Sequence, residues 1–212
     1  MPSLITRESL EKAMNYPTYV EMARELSARG ETTGHPKFRG KSWVNLMGES
    51  LECIDTLLQS ASLNENTHKA VQKQEMPLIW LAITETWCID SAYSLPIIYK
   101  MSETNPNITM KVVLRDDPPQ IIDNFRTGGS RSIPKVICLD AESLVVLGTW
   151  GPRPTELQIK IMLKVRANNK LLDKGNKKAA VRAKEIITTI KNWYEEDQTE
   201  SIQAEIIESL LY

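Results

Sequence analysis

The stretch Trp87-Cys88-Ile89-Asp90-Ser91 decides how this chain is interpreted. An apolar run over residues 78–84 comes just before it, and a segment of helical composition follows it. Cys88 therefore falls at a junction between a predicted strand and a predicted helix. A thiol at a helix N-terminus meets unpaired backbone N–H groups and the positive end of the helix dipole, which both favour the thiolate. Since the thiolate is the nucleophilic form, the sequence predicts a reactive thiol here.

Two neighbours of Cys88 restrict its chemistry. Cys88 and Ser91 are three positions apart, so they face the same turn of the predicted helix. A second cysteine at position 91 would allow a redox disulfide, whereas a serine cannot form one. Asp90 lies on that turn as well, and its negative charge opposes a nearby thiolate. The sequence therefore predicts a one-thiol site.

The composition excludes several classes of function. The chain has 212 residues with 26 basic and 27 acidic side chains, and its formal net charge of −1 predicts neither a nucleic-acid partner nor an anionic membrane surface. Three cysteines and two histidines are too few and too scattered for a disulfide framework or a metal site, and we expect no cofactor. There is no apolar run of membrane-spanning length and no signal-peptide pattern, so we expect a cytoplasmic protein.

The middle of the chain alternates strand and helix patterns. The order from about residue 77 is strand–helix–strand–helix–strand–strand–helix, which predicts a mixed sheet: parallel where a helix crosses over, antiparallel where a short hairpin connects two strands. The predicted strands cover residues 78–84, 108–114, 135–139 and 144–150, and the predicted helices include 91–103 and 156–167.

The sequence predicts helices in both segments that flank this core. Apolar stripes at helical spacing run through residues 1–74 and 168–212. No linker separates either flank from the segment 75–167, so we expect both to pack around it as N- and C-terminal helical extensions.

Three motifs carry a resemblance to a known family: Thr86-Trp87-Cys88-Ile89-Asp90, Gly129-Ser130-Arg131-Ser132-Ile133-Pro134-Lys135 and Thr149-Trp150-Gly151-Pro152-Arg153-Pro154. With the element order, they resemble a thioredoxin-like family of largely uncharacterised, mostly bacterial proteins. The resemblance implies an α/β fold, a thioredoxin-like three-layer α/β/α core with a mixed sheet and helical extensions.

The resemblance also assigns roles to residues. It implies that Cys88 is the nucleophile and that Ile133-Pro134 is a cis-proline peptide whose backbone faces the cysteine and pairs with an extended substrate. It implies that Gly151 completes the wall of the substrate groove. The remaining residues expected along the groove are Trp87, Ile89, Asp90 and Ser132.

Two departures separate the chain from dithiol thioredoxins. Ser91 stands where those proteins have the resolving cysteine, and Ala82 stands where they have a buried carboxylate that shuttles protons. Cys138 is predicted about 13 Å along a strand from Pro134, beyond the separation of about 7 Å that a disulfide requires between Cα atoms. An external thiol would therefore have to resolve any intermediate on Cys88.

Two functional hypotheses remain. The leading one is a one-thiol redox protein, in which Cys88 attacks mixed disulfides of a protein or a low-molecular-weight thiol. The alternative is a non-catalytic binding module that uses the cis-proline groove. A low thiol pKa favours the first, and an ordinary or buried thiol favours the second. Three nearby cations are Arg131, Lys135 and Arg153. They steer an anionic partner such as glutathione, stabilise a thiolate, or are solvated loop charges.

Overall fold

The core of the molecule is a mixed sheet. In the computed structural model, which describes residues 5–117, 119–172 and 179–212, four strands pair in the order β2-β1-β3-β4. They are β1 (Leu78–Thr84), β2 (Ile108–Leu114), β3 (Lys135–Asp140) and β4 (Val146–Trp150). β1 runs parallel to β2 and antiparallel to β3, which pairs antiparallel with β4. This is the sheet that the element order predicts.

Helices cover the sheet and extend beyond it. The described helices are α1 (Arg7–Lys12), α2 (Tyr16–Ala28), α3 (Lys41–Ser60), α4 (Glu65–Gln72), α5 (Ile89–Glu103), α6 (Pro119–Asp123), α7 (Thr155–Leu172), α8 (Ala179–Asp197) and α9 (Glu200–Leu210), with a 3₁₀ turn at Pro36–Phe38. α5 is the crossover between β1 and β2 and continues through Pro96. None of these helices is both long and apolar enough to cross a membrane.

Alternation along β1 builds a core on each side of the sheet. Trp80 and Ala82 join a cluster that includes buried residues of α5, α7, α8 and α9. Leu81 and Ile83 join a second cluster with buried residues of α1 and α6. Because successive side chains of a strand point to opposite faces, one continuous apolar run serves both clusters.

The flanking helices pack directly on the core. α3 and α8 contact α5, α2 contacts β2, and α9 contacts β4. The carbonyl oxygen of Leu210 in α9 accepts hydrogen bonds from Trp80 Nε1 at 3.3 Å and from Cys138 Sγ at 3.4 Å. Cys138 is thus a buried core residue of β3.

Several boundaries differ from the sequence prediction: α5 begins at Ile89 instead of residue 91, β3 ends at Asp140 instead of residue 139, and α7 spans Thr155–Leu172 instead of 156–167. β4 begins at Val146 instead of residue 144, because the turn before it includes Leu144 at a φ of 59° and Asp140 Oδ1 accepts the N–H of Ser143 at 2.6 Å. The predicted C-terminal helical segment corresponds to the end of α7 with α8 and α9, and its part over residues 173–178 lies outside the described residues.

Candidate thiol site

Cys88 lies at the junction of β1 and α5. It is the N-cap residue of α5, with extended backbone angles. Its thiol donates a hydrogen bond to the carbonyl oxygen of Ile133, with 3.4 Å between Sγ and O. The Ile133–Pro134 peptide bond is cis. The thiol therefore lies against the backbone that precedes Pro134.

Buried hydroxyl groups surround the base of this junction. Thr84, the last residue of β1, donates a hydrogen bond from its hydroxyl to Ser91 Oγ at 2.6 Å. The carbonyl oxygen of Glu85 accepts the N–H of Cys88 at 3.1 Å and the hydroxyl of Tyr19 at 3.3 Å. Tyr19 belongs to α2, so the N-terminal extension contributes to the site directly.

A buried ion pair fixes the first turn of α5. Arg153 donates two hydrogen bonds to the Asp90 carboxylate, at 2.9 Å from Nε and 2.7 Å from Nη2. The Tyr194 hydroxyl in α8 donates a third at 3.2 Å. Two parallel bonds from one guanidinium fix geometry as well as charge. Asp90, predicted along the groove, is thus engaged within the protein.

The acidity of Cys88 is the main correction to the sequence analysis. Burial, with the negative charge of Asp90 as the second cause, raises the pKa of the Cys88 thiol to about 12, and Ser91 and Arg153 offset only part of this effect. Burial also raises the pKa of Cys53 and of Cys138 to about 12. The helix N-terminus favours the thiolate as argued above, but loss of solvation outweighs it. The resting thiol is protonated, as its hydrogen bond to Ile133 requires.

Trp87 is covered by the N-terminal extension. The Phe38 ring stacks on it with 4.5 Å between centroids, and Trp43 meets it edge-on at 4.8 Å. The Arg115 guanidinium lies 5.1 Å from the Trp87 ring centroid, and Trp87 Nε1 donates to the Thr33 carbonyl at 3.2 Å. We therefore assign Trp87 a packing role instead of an open position along the groove.

The opposite wall combines Pro134 and Gly151. Gly151 has a φ of +106°, and a Cβ there would overlap the carbonyl oxygen of Pro134. Glycine is therefore required for this approach. Ile89 is buried beside Cys88, and Ser132 is half-buried before Ile133.

The three cations near the site have protein partners. Arg153 pairs with Asp90, Arg131 pairs with Asp123, and Lys135 Nζ donates to the Gly151 carbonyl at 2.8 Å. These contacts assign the cations to holding the loops together, instead of steering an anion.

Sequence reasoning missed a buried carboxyl group. Position 82 of β1 is an alanine and so has no carboxyl group. Glu85, three residues before Cys88, is fully buried, and burial raises the pKa of its carboxyl group. One of its oxygens accepts the Asp116 N–H at 3.1 Å, while the other has no hydrogen-bond partner among the described residues. The carboxyl group lies next to Gly34 and Asp116. An acidic residue directly after a buried strand was the available signal.

Within the described ranges, no three or more His, Cys, Asp or Glu side chains gather in a way that could hold a metal ion.

Comparisons with known proteins agree with the thioredoxin-like fold. A family model described as Thioredoxin matches residues 43–170, which is more than half of the chain. A protein of unknown function, PA1234 from Pseudomonas aeruginosa, has a similar crystal structure, with a TM-score of 0.58, 16% identity and coverage of 98% of this chain and 96% of that one. An HIV epitope-scaffold is similar at a TM-score of 0.59 and 15% identity, covering 96% of both chains. No curated protein matches the chain.

Proposed function

The chain belongs to a thioredoxin family, and from that premise we propose that it is a one-thiol redox protein in which Cys88 forms mixed disulfides with an external partner. The contact between the Cys88 thiol and the Ile133 carbonyl carries the proposal. In the thioredoxin resemblance, the backbone beside the cis-proline is where an extended substrate pairs. The sulfur of this chain lies within hydrogen-bond distance of that backbone.

The same contact supports a closed resting state. The Cys88 thiol donates a hydrogen bond to the carbonyl oxygen of Ile133. An N–H group of a bound peptide would donate to the same oxygen. A peptide that takes this acceptor removes the hydrogen bond that favours the protonated thiol. Substrate binding and activation of Cys88 are therefore coupled in this proposal.

The proposed exchange has two steps. The Cys88 thiolate attacks one sulfur of an external disulfide, so that a bond from Cys88 to that sulfur forms while the other sulfur leaves as a thiolate and takes up a proton. An external thiol then attacks the mixed disulfide and restores Cys88, because Ser91 has no sulfur. The external disulfide is the oxidant, and the resolving thiol is the reductant.

A second candidate is a non-catalytic binding module. The observation that favours it is the buried Cys88 thiol, whose pKa burial raises to about 12. A thiol of that acidity is protonated at neutral pH and is a poor nucleophile. In this case the groove beside Pro134 would bind a protein segment without covalent chemistry.

Incubation with oxidised glutathione separates the candidates. Intact mass of the native protein should increase by one glutathione, and peptide mapping should locate the adduct at Cys88. A Cys88→Ser variant should remain unmodified, and a Cys53→Ser variant should be modified like the wild type. The adduct should disappear when reduced glutathione is added.

Three outcomes would count against the redox proposal. An adduct at Cys53 or an intramolecular disulfide would contradict the assigned thiol. Absence of any adduct under native conditions, together with labelling of Cys88 in denaturant, would favour the binding module.

A further inference from the structure

The flanking helices border an open cavity away from the thiol site. It has a volume of about 680 Å³ and lies between the C-terminal half of α3, α5 and the junction of α8 with α9. A volume of this size is in the range of small-molecule binding sites. The thiol site does not use this cavity.

Two stacked aromatic rings line one side of the cavity. Tyr93 of α5 and Tyr194 of α8 are parallel within 8°, with 4.6 Å between ring centroids. The half-buried side chain of Leu57 also lines the cavity, whereas Tyr194 and Ile202 are buried behind its surface, at 3% and 0% exposed. Aromatic faces attract organic cations through the ring quadrupole, and apolar walls favour the body that carries the charge.

The charged groups that line the cavity are both carboxylates. Glu195 accepts a hydrogen bond from the Tyr93 hydroxyl at 3.3 Å, and Glu200 accepts one from Asn64 Nδ2 at 2.8 Å. Both partners are neutral, and neither carboxylate forms an ion pair with a residue in the described part of the chain. No Lys, Arg or His among the described residues lines the cavity. The lining itself therefore carries two exposed carboxylates and no positive charge from the residues that the structure describes. Two lysines lie just outside it: Lys100 Nζ donates to the Ala61 carbonyl at 2.6 Å, and the charge of Lys191 acts on Cys53.

The junction that carries these carboxylates has unusual backbone angles. Gln198 and Thr199 have φ values of 51° and 71°, in the left-handed region that non-glycine residues rarely adopt. Such conformations persist where the surrounding structure determines them, and they are concentrated at functional sites. Here they set the turn between Glu195 at the end of α8 and Glu200 at the start of α9.

We infer that this cavity binds a small organic cation, an amine carried on an aromatic or aliphatic body. The ammonium group pairs with Glu195 and Glu200, and the body packs against Tyr93 and Leu57. The inference is independent of the redox proposal, because it uses neither Cys88 nor the groove.

Tyr194 connects the cavity to the thiol site. Its ring lines the cavity, while its hydroxyl donates to Asp90, the residue paired with Arg153 beside Cys88.

Calorimetric titration of the full-length Cys88→Ser variant tests the binding site without any thiol chemistry at Cys88. Tyramine and spermidine are the probes, and 3-(4-hydroxyphenyl)propionate is the matched control, since it has the aromatic body of tyramine but a negative charge. We expect saturable binding of at least one amine with one site per chain. The anion should bind at least about tenfold more weakly, a difference of about 1.4 kcal/mol.

Substitutions locate the site. Glu195→Gln and Glu200→Gln should each weaken amine binding, and the double variant should weaken it at least about tenfold, whereas Glu142→Gln, an exposed residue outside the cavity, should have no effect. Unchanged thermal unfolding would show that each variant is folded. Absence of binding by both amines, equal binding of the anion, or unchanged affinity in the double variant would overturn the inference.

Discussion

One substitution in the Asp90–Arg153 pair, Asp90→Asn, should have two measurable effects: it should lower the stability of the fold and raise the reactivity of Cys88. The side chain of Asp90 is 5% exposed and that of Arg153 is 16% exposed, and two hydrogen bonds join them. Asp90→Asn keeps the size of the side chain but removes its charge. The buried Arg153 guanidinium then has no ionic partner, which costs about 3–5 kcal/mol of unfolding free energy.

This cost predicts a large shift in a denaturation curve. With a urea dependence of about 2–3 kcal/mol per molar, the midpoint of Asp90→Asn should fall by about 1–2 M. Removing both charges in Asp90→Asn/Arg153→Gln should recover part of the loss, because no unpaired charge remains. As a control, Glu8→Gln breaks the fully exposed pair with Lys12 and should not shift the midpoint measurably.

Thiol reactivity should change in the other direction. The Asp90 charge raises the pKa of Cys88, so Asp90→Asn lowers it and increases the thiolate population at a fixed pH. Each unit by which this pKa falls multiplies the thiolate about tenfold. Iodoacetamide labelling of Cys88, followed by mass spectrometry at pH 8, measures the rate in the folded protein. A midpoint within 0.3 M of wild type, or slower labelling of Cys88, would refute this account of the pair.

Three further predictions follow from the same site. The labelling rate of native Cys88 should rise about tenfold per pH unit from pH 7 to 10 without a plateau near 9, since a pKa of about 12 leaves roughly one thiolate in 10⁴ at pH 8; a plateau near 9 would contradict burial of the thiol. Gly151→Ala should lower the free energy of unfolding by about 2 kcal/mol or more, because the added Cβ would overlap Pro134. The control Gly48→Ala, at an open helical position of α3, should raise it by about 0.5–1 kcal/mol. Urea titration measures both. Ser91→Cys should form a disulfide with Cys88 on the same turn and gain insulin reductase activity that the parent lacks; retention of two free thiols after oxidation would count against that geometry.

Local sequence patterns predicted the sheet well. The continuous apolar run of β1 and the alternation in β2 are properties of consecutive residues, and the structure has both strands at the predicted positions. The start of β4 was missed by two residues, because the left-handed conformation of Leu144 depends on the turn that precedes it. Patterns of this kind give the elements and their order.

The environment of Cys88 could not be predicted in the same way. Neighbouring residues predict that Cys88 lies at a helix N-terminus. Its burial, however, depends on contacts with residues that are distant in sequence. Phe38 and Thr33 cover the adjacent Trp87 from more than 45 residues earlier, and Tyr194 reaches Asp90 from more than 100 residues later. The sign of the pKa shift of Cys88 therefore followed from tertiary packing, which outweighed the local helix dipole.

The ion pair beside Cys88 also has a consequence for the time course of protein synthesis. A ribosome adds Arg153 and Tyr194 only after Cys88 has been made, and Tyr194 follows it by roughly 100 residues, which at 5–20 residues per second takes about 5–20 s. Asp90 lacks Arg153 for roughly the first two thirds of this interval and Tyr194 for all of it, and these are the partners that hold the first turn of α5 in the finished protein. The newly made thiol is then exposed to whatever oxidants the compartment contains. Oxidation at that stage would precede the burial that raises the pKa of the thiol in the finished protein, so translation is the period in which this cysteine is least protected from oxidants.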